Sequence, residues 1–510
     1  MRESGDRRVG EHYLSPINSG EFHEAGIVSR LRHLSVLAVV LLAAFLTALD
    51  NSVVHIALPQ MREALGLSDA DLKWVAAVYP LALASFLLLG GQLTDAMGRR
   101  WTLLTGLAVF TAASVGCALS ASGVMLVCWR GLQGLGAAFI LPSSLAILSH
   151  DLPHRARTAG LGATMATLAF ALACGPVISG VVTQHLGWEW LFVLNVPLGL
   201  SSLLIGYATV PRTSVFRGVG TRRGSTAVPL PVVALSCLSF AAIVYSLIEG
   251  PTYGFTAPRV VIAGAVAAAG AVGVFIAMTY RPTPALRTLF AERAFTGGLI
   301  TQLLWGLGVS GVYFYTSQFL QNGLRLSPTS AGLTFVPVAS ALLLTAPFVT
   351  GLTRRWGDGG VCGGGLLLVA LGLLLVALGS LGGDLVDLLP GLVAVGVGSA
   401  LALPLTTRAL ESSPGHLSGF AAGLFSATRE LSGVFGIAFV GAIVTFVQRA
   451  SASDGVPPVD AFVSGYQVGL CIAAALAGAG APVAVWALRR HVCGRECCCR
   501  PRASTAGRQD

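Results

Sequence analysis

Two residues in this chain can carry charge where the surrounding sequence leaves no water to stabilise it. Asp50 ends the apolar stretch LLAAFLTALD, and Arg130 sits inside VMLVCWRGLQGLGAAFILPSSLAILSH. A hydrocarbon core about 30 Å thick needs roughly 20 apolar residues of helix to cross it. A charge held within such a span costs about 2.5–3.5 kcal/mol or more, so it must face protein or a water-filled space. Counting from the expected helix ends at about 1.5 Å per residue, both groups lie roughly 10 Å below the same membrane face and can meet. An acid there can bind and release a proton as its access to water changes, with a guanidinium as its electrostatic counterweight. The competing account is a permanent ion pair that merely locks two helices. Gln133 and Gly134 follow Arg130 by three and four positions, so they share its helical face. Gly134 and Gly136 leave that face bare enough for a neighbouring helix to approach closely.

The elements that must position these groups follow from composition. Of 510 residues, 54% are hydrophobic and 11% charged, far from the roughly 25% charged residues of a soluble domain. Spanning-length apolar runs fall at 34–57, 73–94, 101–121, 124–148, 158–183, 189–210, 228–249, 259–280, 295–320, 329–352, 360–381, 384–409, 418–447 and 464–488. The expectation is an all-α membrane protein of 14 helices. With both termini in the cytoplasm, the basic residues outside the inner tails and loops are Arg62, Lys73, Arg259, Arg325 and Arg449, plus Arg130 and Arg429 within spans. That asymmetry satisfies the positive-inside rule. It also accounts for the net charge of +9, which therefore does not argue for a nucleic-acid partner. Lys73 is the single lysine, a bias of composition rather than a sign of mechanism.

An internal repeat divides the chain. GLGAAFILP from Gly134 is echoed by GVGSALALP from Gly396, Ala159-Gly-Leu161 by Ala422-Gly-Leu424, and Leu93-Thr94 with Gly98 by Leu352-Thr353 with Gly357. The nearly constant offset makes helices one to six and nine to fourteen two copies of a six-helix unit, with helices seven and eight inserted. The expected organisation is a disordered cytoplasmic tail (1–33), an N-terminal bundle (34–210), a linker with two inserted helices (211–294, helices near 228–249 and 259–280), a C-terminal bundle (295–488) and a basic, Cys-rich cytoplasmic tail (489–510). The copies differ in charge. Asp95 and Arg99 flank Gly98, whereas Arg354 and Asp358 flank Gly357, and Arg130 maps near Leu392 and Asp50 near Val312.

Other residues form a second rank. In GGQLTDAMGRR, Gly91, Asp95, Gly98, Arg99 and Arg100 combine tight-turn glycines with charges able to pair, which suits a conformational latch. Gly175, Pro176 and Gly180 predict a bend or a close crossing in the outer half of helix five. His55, expected at the end of helix one, and Tyr313, Arg429 and Glu430 are candidate cavity residues. Being adjacent, Arg429 and Glu430 point about 100° apart, so one can line a cavity while the other seeks a partner. Phe314, Tyr315 and Phe319 with Tyr313 offer aromatic surface to a substrate or to lipid. Six of the 10 cysteines lie singly in apolar runs. Cys493, Cys497, Cys498 and Cys499 follow no paired metal-ligand spacing, so neither a metal nor a cofactor is expected.

Taken together, these motifs resemble the major facilitator superfamily, and more narrowly its fourteen-helix drug:proton antiporters of the EmrB/QacA type, over roughly residues 34–490. The resemblance is carried by Leu49-Asp50-Asn-Ser-Val-Val-His-Ile-Ala-Leu-Pro59, by the inner loop from Gly91 to Arg100, by Arg130-Gly-Leu-Gln133-Gly134-Leu-Gly136, by Gly175-Pro176 with Gly180, and by Trp188-Glu-Trp-Leu-Phe-Val-Leu-Asn195-Val-Pro197. The chain departs from the family pattern at His55, Ala96, Ser179 and Glu189. The resemblance implies the major facilitator fold, two pseudo-symmetric bundles that give alternating access to a central cavity, with proton entry driving export. It also implies that Asp50 and Arg130 couple protons, that Asp95 and Arg99 steady one conformation, and that Gly175-Pro176 limits leak.

The function expected is therefore proton-driven export of amphipathic small molecules such as drugs, antiseptics or antibiotics, across the plasma membrane, by a chain that works as a monomer. Its partners are the small-molecule substrate, protons and the lipid bilayer. A symporter importing a metabolite is the alternative. An enzyme is not expected, because no phosphate loop, metal cluster or nucleophile motif occurs.

Overall fold

A computed structural model of the chain describes residues 19–211, 230–280, 284–414 and 417–489. The terminal Cys-rich tail from residue 490, with its four clustered cysteines, lies outside the described residues. The N-terminal half comprises α1 (Ser19–Leu65), α2 (Asp69–Met97), α3 (Arg99–Ala118), α4 (Gly123–His150), α5 (His154–His185), α6 (Glu189–Val193) and α7 (Asn195–Thr209). Two further helices follow, α8 (Leu230–Tyr253) and α9 (Pro258–Tyr280), and then a short α10 (Pro284–Ala291). The C-terminal half comprises α11 (Arg293–Gln318), α12 (Pro328–Leu333), α13 (Val336–Gly379), α14 (Leu385–Leu401), α15 (Pro404–Glu411), α16 (Ser418–Ser453) and α17 (Pro458–Leu488).

Thirteen helical stretches among the described residues are long and apolar enough to span a bilayer, and one of them, Pro328–Gly379, runs for 52 residues. At about 1.5 Å per residue that is more than twice the hydrocarbon thickness, and the stretch is broken at Gly357 (φ 74°, ψ 159°). It therefore crosses twice, giving the expected 14 spans. Gly98, between α2 and α3, has nearly the same backbone (φ 91°, ψ 146°). These are the glycines that the repeat aligned, and each supplies a positive φ that an L side chain resists.

The two halves repeat each other in contact as well as in sequence. A Cβ on Gly134 would lie 2.3 Å from the Tyr79 carbonyl oxygen and 3.0 Å from Ala82 Cβ; one on Gly396 would lie 2.3 Å from the Val338 carbonyl oxygen and 2.9 Å from Ala341 Cβ. The same helix pair thus meets backbone to backbone in both bundles, which is what small residues permit between spans. The ion pairs at the basic-loop end repeat with their polarity exchanged: Arg99 bonds Asp151 at 3.1 Å, and Asp358 accepts from Arg408 at 2.9 Å.

Several boundaries differ from expectation. The first helix begins at Ser19, inside the segment read as a tail, and continues to Leu65, so His55 lies well within it. The sixth span is split into α6 and α7 at Leu194, and the twelfth into α14 and α15 just before Pro404, where a missing N–H breaks the ladder. By contrast α5 stays continuous through Pro176.

Of the inserted pair, α8 packs beside both halves and α9 packs on α8. Trp74 of α2 donates to Glu249 of α8 at 3.1 Å, while Phe435 of α16 meets Phe240 of α8 edge to face at 6.0 Å. Arg449 of α16 also donates to the carbonyls of Pro251 and Thr252. The helix α8 therefore ties α2 to α16 across the seam between the halves.

Candidate functional site

The α4 helix brings Arg130 to the middle of the N-terminal half because its small residues let it sit deep. Gly134 lies over the α2 backbone, and a Cβ on Gly136 would fall 2.7 Å from the Phe110 nitrogen of α3. Arg130, Asp50 and Gln133 are all at 0% exposure. Arg130 Nη1 donates to Asp50 Oδ2 and, at 2.8 Å, to Gln133 Oε1. Gln133 Nε2 donates to Asp50 Oδ1 at 2.8 Å and to Ser114 Oγ at 2.9 Å. Asn195 Nδ2 reaches the same Asp50 Oδ1 at 2.7 Å.

The carboxylate thus accepts three hydrogen bonds from helices α4 and α7, all with charged or amide donors, which is how a buried charge is made tolerable. The guanidinium is less completely paired, since its Nε and Nη2 have no hydrogen-bond partner among the described residues. Two ring faces take their place, Tyr79 at 4.5 Å and Phe192 at 5.8 Å from the guanidinium carbon. Such contacts contribute about 2 kcal/mol when desolvated. Tyr79 is itself fixed by donating to the Thr47 carbonyl at 3.0 Å.

Ser114, Asn195, Tyr79 and Phe192 were not among the candidate site residues, Asn195 and Phe192 standing only inside the Trp188–Pro197 motif. Asn195 had a usable signal. It opens α7 where the Asn-Val-Pro sequence interrupts the sixth span, and a helix start inside a membrane marks functional backbone. Ser114 had none, because a lone serine in an apolar helix ordinarily bonds its own preceding turn, as this one also does through Phe110 at 2.8 Å. In the second half the corresponding interior is apolar: Val312, Leu373, Leu392 and Val395 are all buried.

The remaining candidates occupy different places. Arg100 donates to the Val210 and Tyr207 carbonyls at 2.8 and 2.6 Å, anchoring the start of α3 to the end of α7. Gly91 lies in α2, where an added Cβ would meet nothing within 4 Å, and Asp95 is exposed on the last turn of that helix. A Cβ on Gly175 would collide with Ser52 Oγ of α1 at 1.9 Å, whereas one on Gly180 would lie 2.4 Å from the Pro328 carbonyl oxygen of the other half. Reciprocally, a Cβ on Gly332 would lie 2.3 Å from the Pro176 carbonyl oxygen. The Gly175–Gly180 segment is therefore a close crossing without a break, and it joins the two halves.

That crossing belongs to a seal at the end opposite the arginine-rich loops. Ser317 donates to the His55 carbonyl at 2.9 Å, Gln321 to the Ile56 carbonyl at 2.9 Å, and Thr329 to the Gly180 carbonyl at 3.3 Å. Towards the basic loops, a Cβ on Gly162 of α5 or on Gly351 of α13 would meet nothing within 4 Å. His55 lies at the seal, edge to face with Phe314 at 6.3 Å, and its Nδ1 is buried with no partner among the described residues.

Two expectations about cavity residues are corrected. Arg429 and Glu430 bond each other, through Nε at 3.2 Å and Nη2 at 2.9 Å, rather than pointing apart to separate partners. Long flexible side chains bridge the 100° between adjacent helical positions. The arginine is 48% exposed, and Ser426, Glu430 and Gly433 share its side of α16, while Phe435, Phe439 and Phe446 point the other way. The aromatic groups of α11 and of the Phe319 turn that follows it are packing elements rather than free surface. Tyr313 stacks on Phe335 at 5.3 Å, Phe319 stacks on Tyr466 at 5.0 Å, and Phe314 and Tyr315 are buried.

Two helical bundles related by an internal repeat, the first of them holding a buried ion pair, define a two-bundle membrane protein. The chain matches the family described as Major Facilitator Superfamily over residues 40–437, and it belongs to that family. Solved structures with the same fold include the POT family transporter PepTSo (TM-score 0.64, 14% identity, 89% of this chain and 97% of that one) and a D-xylose-proton symporter (TM-score 0.59, 15% identity, 87% and 97%).

Curated relatives are more specific. The chain is 31% identical over 409 residues to the multidrug resistance protein Stp of Mycobacterium tuberculosis, covering 79% of this chain and 74% of the relative. It is 30% identical over 434 residues to the tetracenomycin C resistance and export protein of Streptomyces glaucescens (84% and 78%). It is 30% identical over 431 residues to the methylenomycin A resistance protein of Bacillus subtilis (84% and 90%).

Proposed function

We propose that this chain is a drug:proton antiporter, which expels amphipathic small molecules across the plasma membrane, with both termini in the cytoplasm and the monomer as the working unit. The observation that carries the reading is the Asp50–Arg130 pair, wholly buried in one half of a protein whose other half is apolar at the corresponding place. An intramembrane acid is expensive, and its retention without a second-half counterpart argues for use rather than for packing. The names of the relatives, resistance to and export of antibiotics, support an outward direction and a small-molecule substrate.

With the seal opposite the basic loops closed, Asp50 is saturated by Arg130, Gln133 and Asn195. When that end opens, water brings a proton to Oδ2, and Arg130 is left to Gln133 and the Tyr79 and Phe192 rings. Closing it again re-forms the pair and delivers the proton to the cytoplasmic side. Substrate leaves in the opposite sense, past the exposed face of α16 that carries Arg429 and Glu430. The test is efflux of ethidium and of an antibiotic panel including tetracenomycin C and methylenomycin A, in cells making wild type or Asp50→Asn. Wild-type efflux stops with a protonophore, and Asp50→Asn lowers gradient-driven efflux at least about tenfold. Full gradient-driven efflux by Asp50→Asn refutes the assignment.

A further inference from the structure

The sole lysine among 32 basic residues is buried between the halves, in a chain that otherwise uses arginine everywhere. Lys73 lies one turn into α2, at 3% exposure. Its Nζ crosses to the C-terminal half, donating to Thr445 Oγ1 at 2.7 Å and to the Gly441 carbonyl at 3.3 Å, both on α16. Both oxygens are neutral. The nearby carboxylates are committed elsewhere, Asp69 to Arg62 and Glu249 to Trp74.

Space at the contact is limited. A Cβ on Gly441 would lie 2.1 Å from Tyr315 Oη and 3.1 Å from Lys73 Cε. Gly441 thus leaves the room that the Lys73 side chain occupies, and a compact ammonium is a point donor suited to two neutral oxygens. A cavity of about 220 Å³ adjoins it, lined in part by Arg62, Tyr315, Gln318 and Asn322.

We propose that Lys73 is an outer gate residue, bonded to α16 when the halves are closed at this end and returned to water when they part. The ammonium makes two hydrogen bonds to the opposite half. It makes them without a carboxylate in contact, so the closed seal is held against a standing cost of desolvation. Such a contact is strong enough to select a conformation and weak enough to be broken in each cycle. Lys73 is a positioning residue, acting on the equilibrium between conformations and touching no substrate. The inference rests on the alternating-access reading above.

The test exploits Lys73 being the one side-chain amine in the sequence. Right-side-out vesicles are treated with sulfo-NHS-acetate, an acylating reagent that does not cross membranes, and modification of the Lys73 peptide is followed by mass spectrometry. Wild type is expected to react slowly. Gly332→Trp, a wedge where even a methyl would meet the Pro176 carbonyl at 2.3 Å, is expected to react at least about tenfold faster, equivalent to ~1.4 kcal/mol of shifted equilibrium. Thr445→Val, which removes the closer acceptor, is expected to raise the rate about tenfold without a wedge.

Both variants must elute as a single species on size exclusion and match wild type in melting within a few degrees; a variant that fails is replaced by Gly180→Trp or Thr445→Ala. Equal rates in all folded proteins overturn the gate, as does faster reaction in inside-out than in right-side-out vesicles. The readout needs neither substrate nor proton gradient. Unchanged labelling alongside Asp50-dependent efflux overturns the gate alone, whereas altered labelling without Asp50-dependent efflux upholds the gate and overturns proton coupling.

Discussion

Three donors from two helices converge on Asp50, and Arg130 is met by one carboxylate, one amide and two aromatic faces. Removing one member of a buried pair strands the other, at a cost of about 3–5 kcal/mol, while neutralising both can cost little. Arg130→Leu is therefore expected to melt far below wild type in detergent. The double variant Asp50→Asn/Arg130→Gln should recover most of that loss yet stay inactive in efflux. Recovery of efflux in the double variant would place the pair among structural locks. Asn195→Leu should cost about 1.5–3 kcal/mol of stability, read as a lower melting temperature with the helix content retained. The pair itself was legible in the sequence, because a lone acid and a lone base at matching depth have few other partners. Its shell was not, since nothing in an apolar run announces that a serine 19 positions away in sequence will face Gln133.

At the scale of elements, the repeat of small residues was readable and its geometric meaning was not. Gly134 and Gly396 were aligned by sequence; only the packed helices put both over a backbone carbonyl at 2.3 Å. Gly396→Val is accordingly expected to abolish monodisperse expression, whereas Gly162→Ala, with nothing near its added methyl, should express like wild type. Gly357→Ala should cost about 1–2 kcal/mol because its φ is positive, seen as a lower melting temperature. Hydrophobic runs gave the count of spans, since a run is a local property. They did not locate the splits between α6 and α7 or between α14 and α15, which depend on how far neighbouring helices can stabilise freed backbone groups. Nor did adjacency of Arg429 and Glu430 in sequence reveal that they would satisfy each other.

For the whole molecule, the seal opposite the basic loops fixes one arrangement of the two bundles, and a transporter that alternates must visit a second. A wedge at the seal is expected to hold the other. Gly332→Trp should fold and reach the membrane while losing efflux, and restored efflux would mean that this crossing does not limit the cycle. The reversed polarity of the Arg99–Asp151 and Asp358–Arg408 pairs adds a constraint of the same scale. Each bundle is pinned to itself at the basic end, so opening there moves bundles rather than single helices.

Order along the chain, by itself, determined the class of protein, the number of spans, the twofold repeat and the half that carries buried charge, because each depends on hydropathy or spacing summed over local segments. Which donors reach Asp50, which ion partners Arg99 and Asp358 take, which end is shut and why a single lysine sits in the seam were decided only by packing. Those properties depend on groups far apart in sequence, and only the crossing of helices brings them within hydrogen-bond reach.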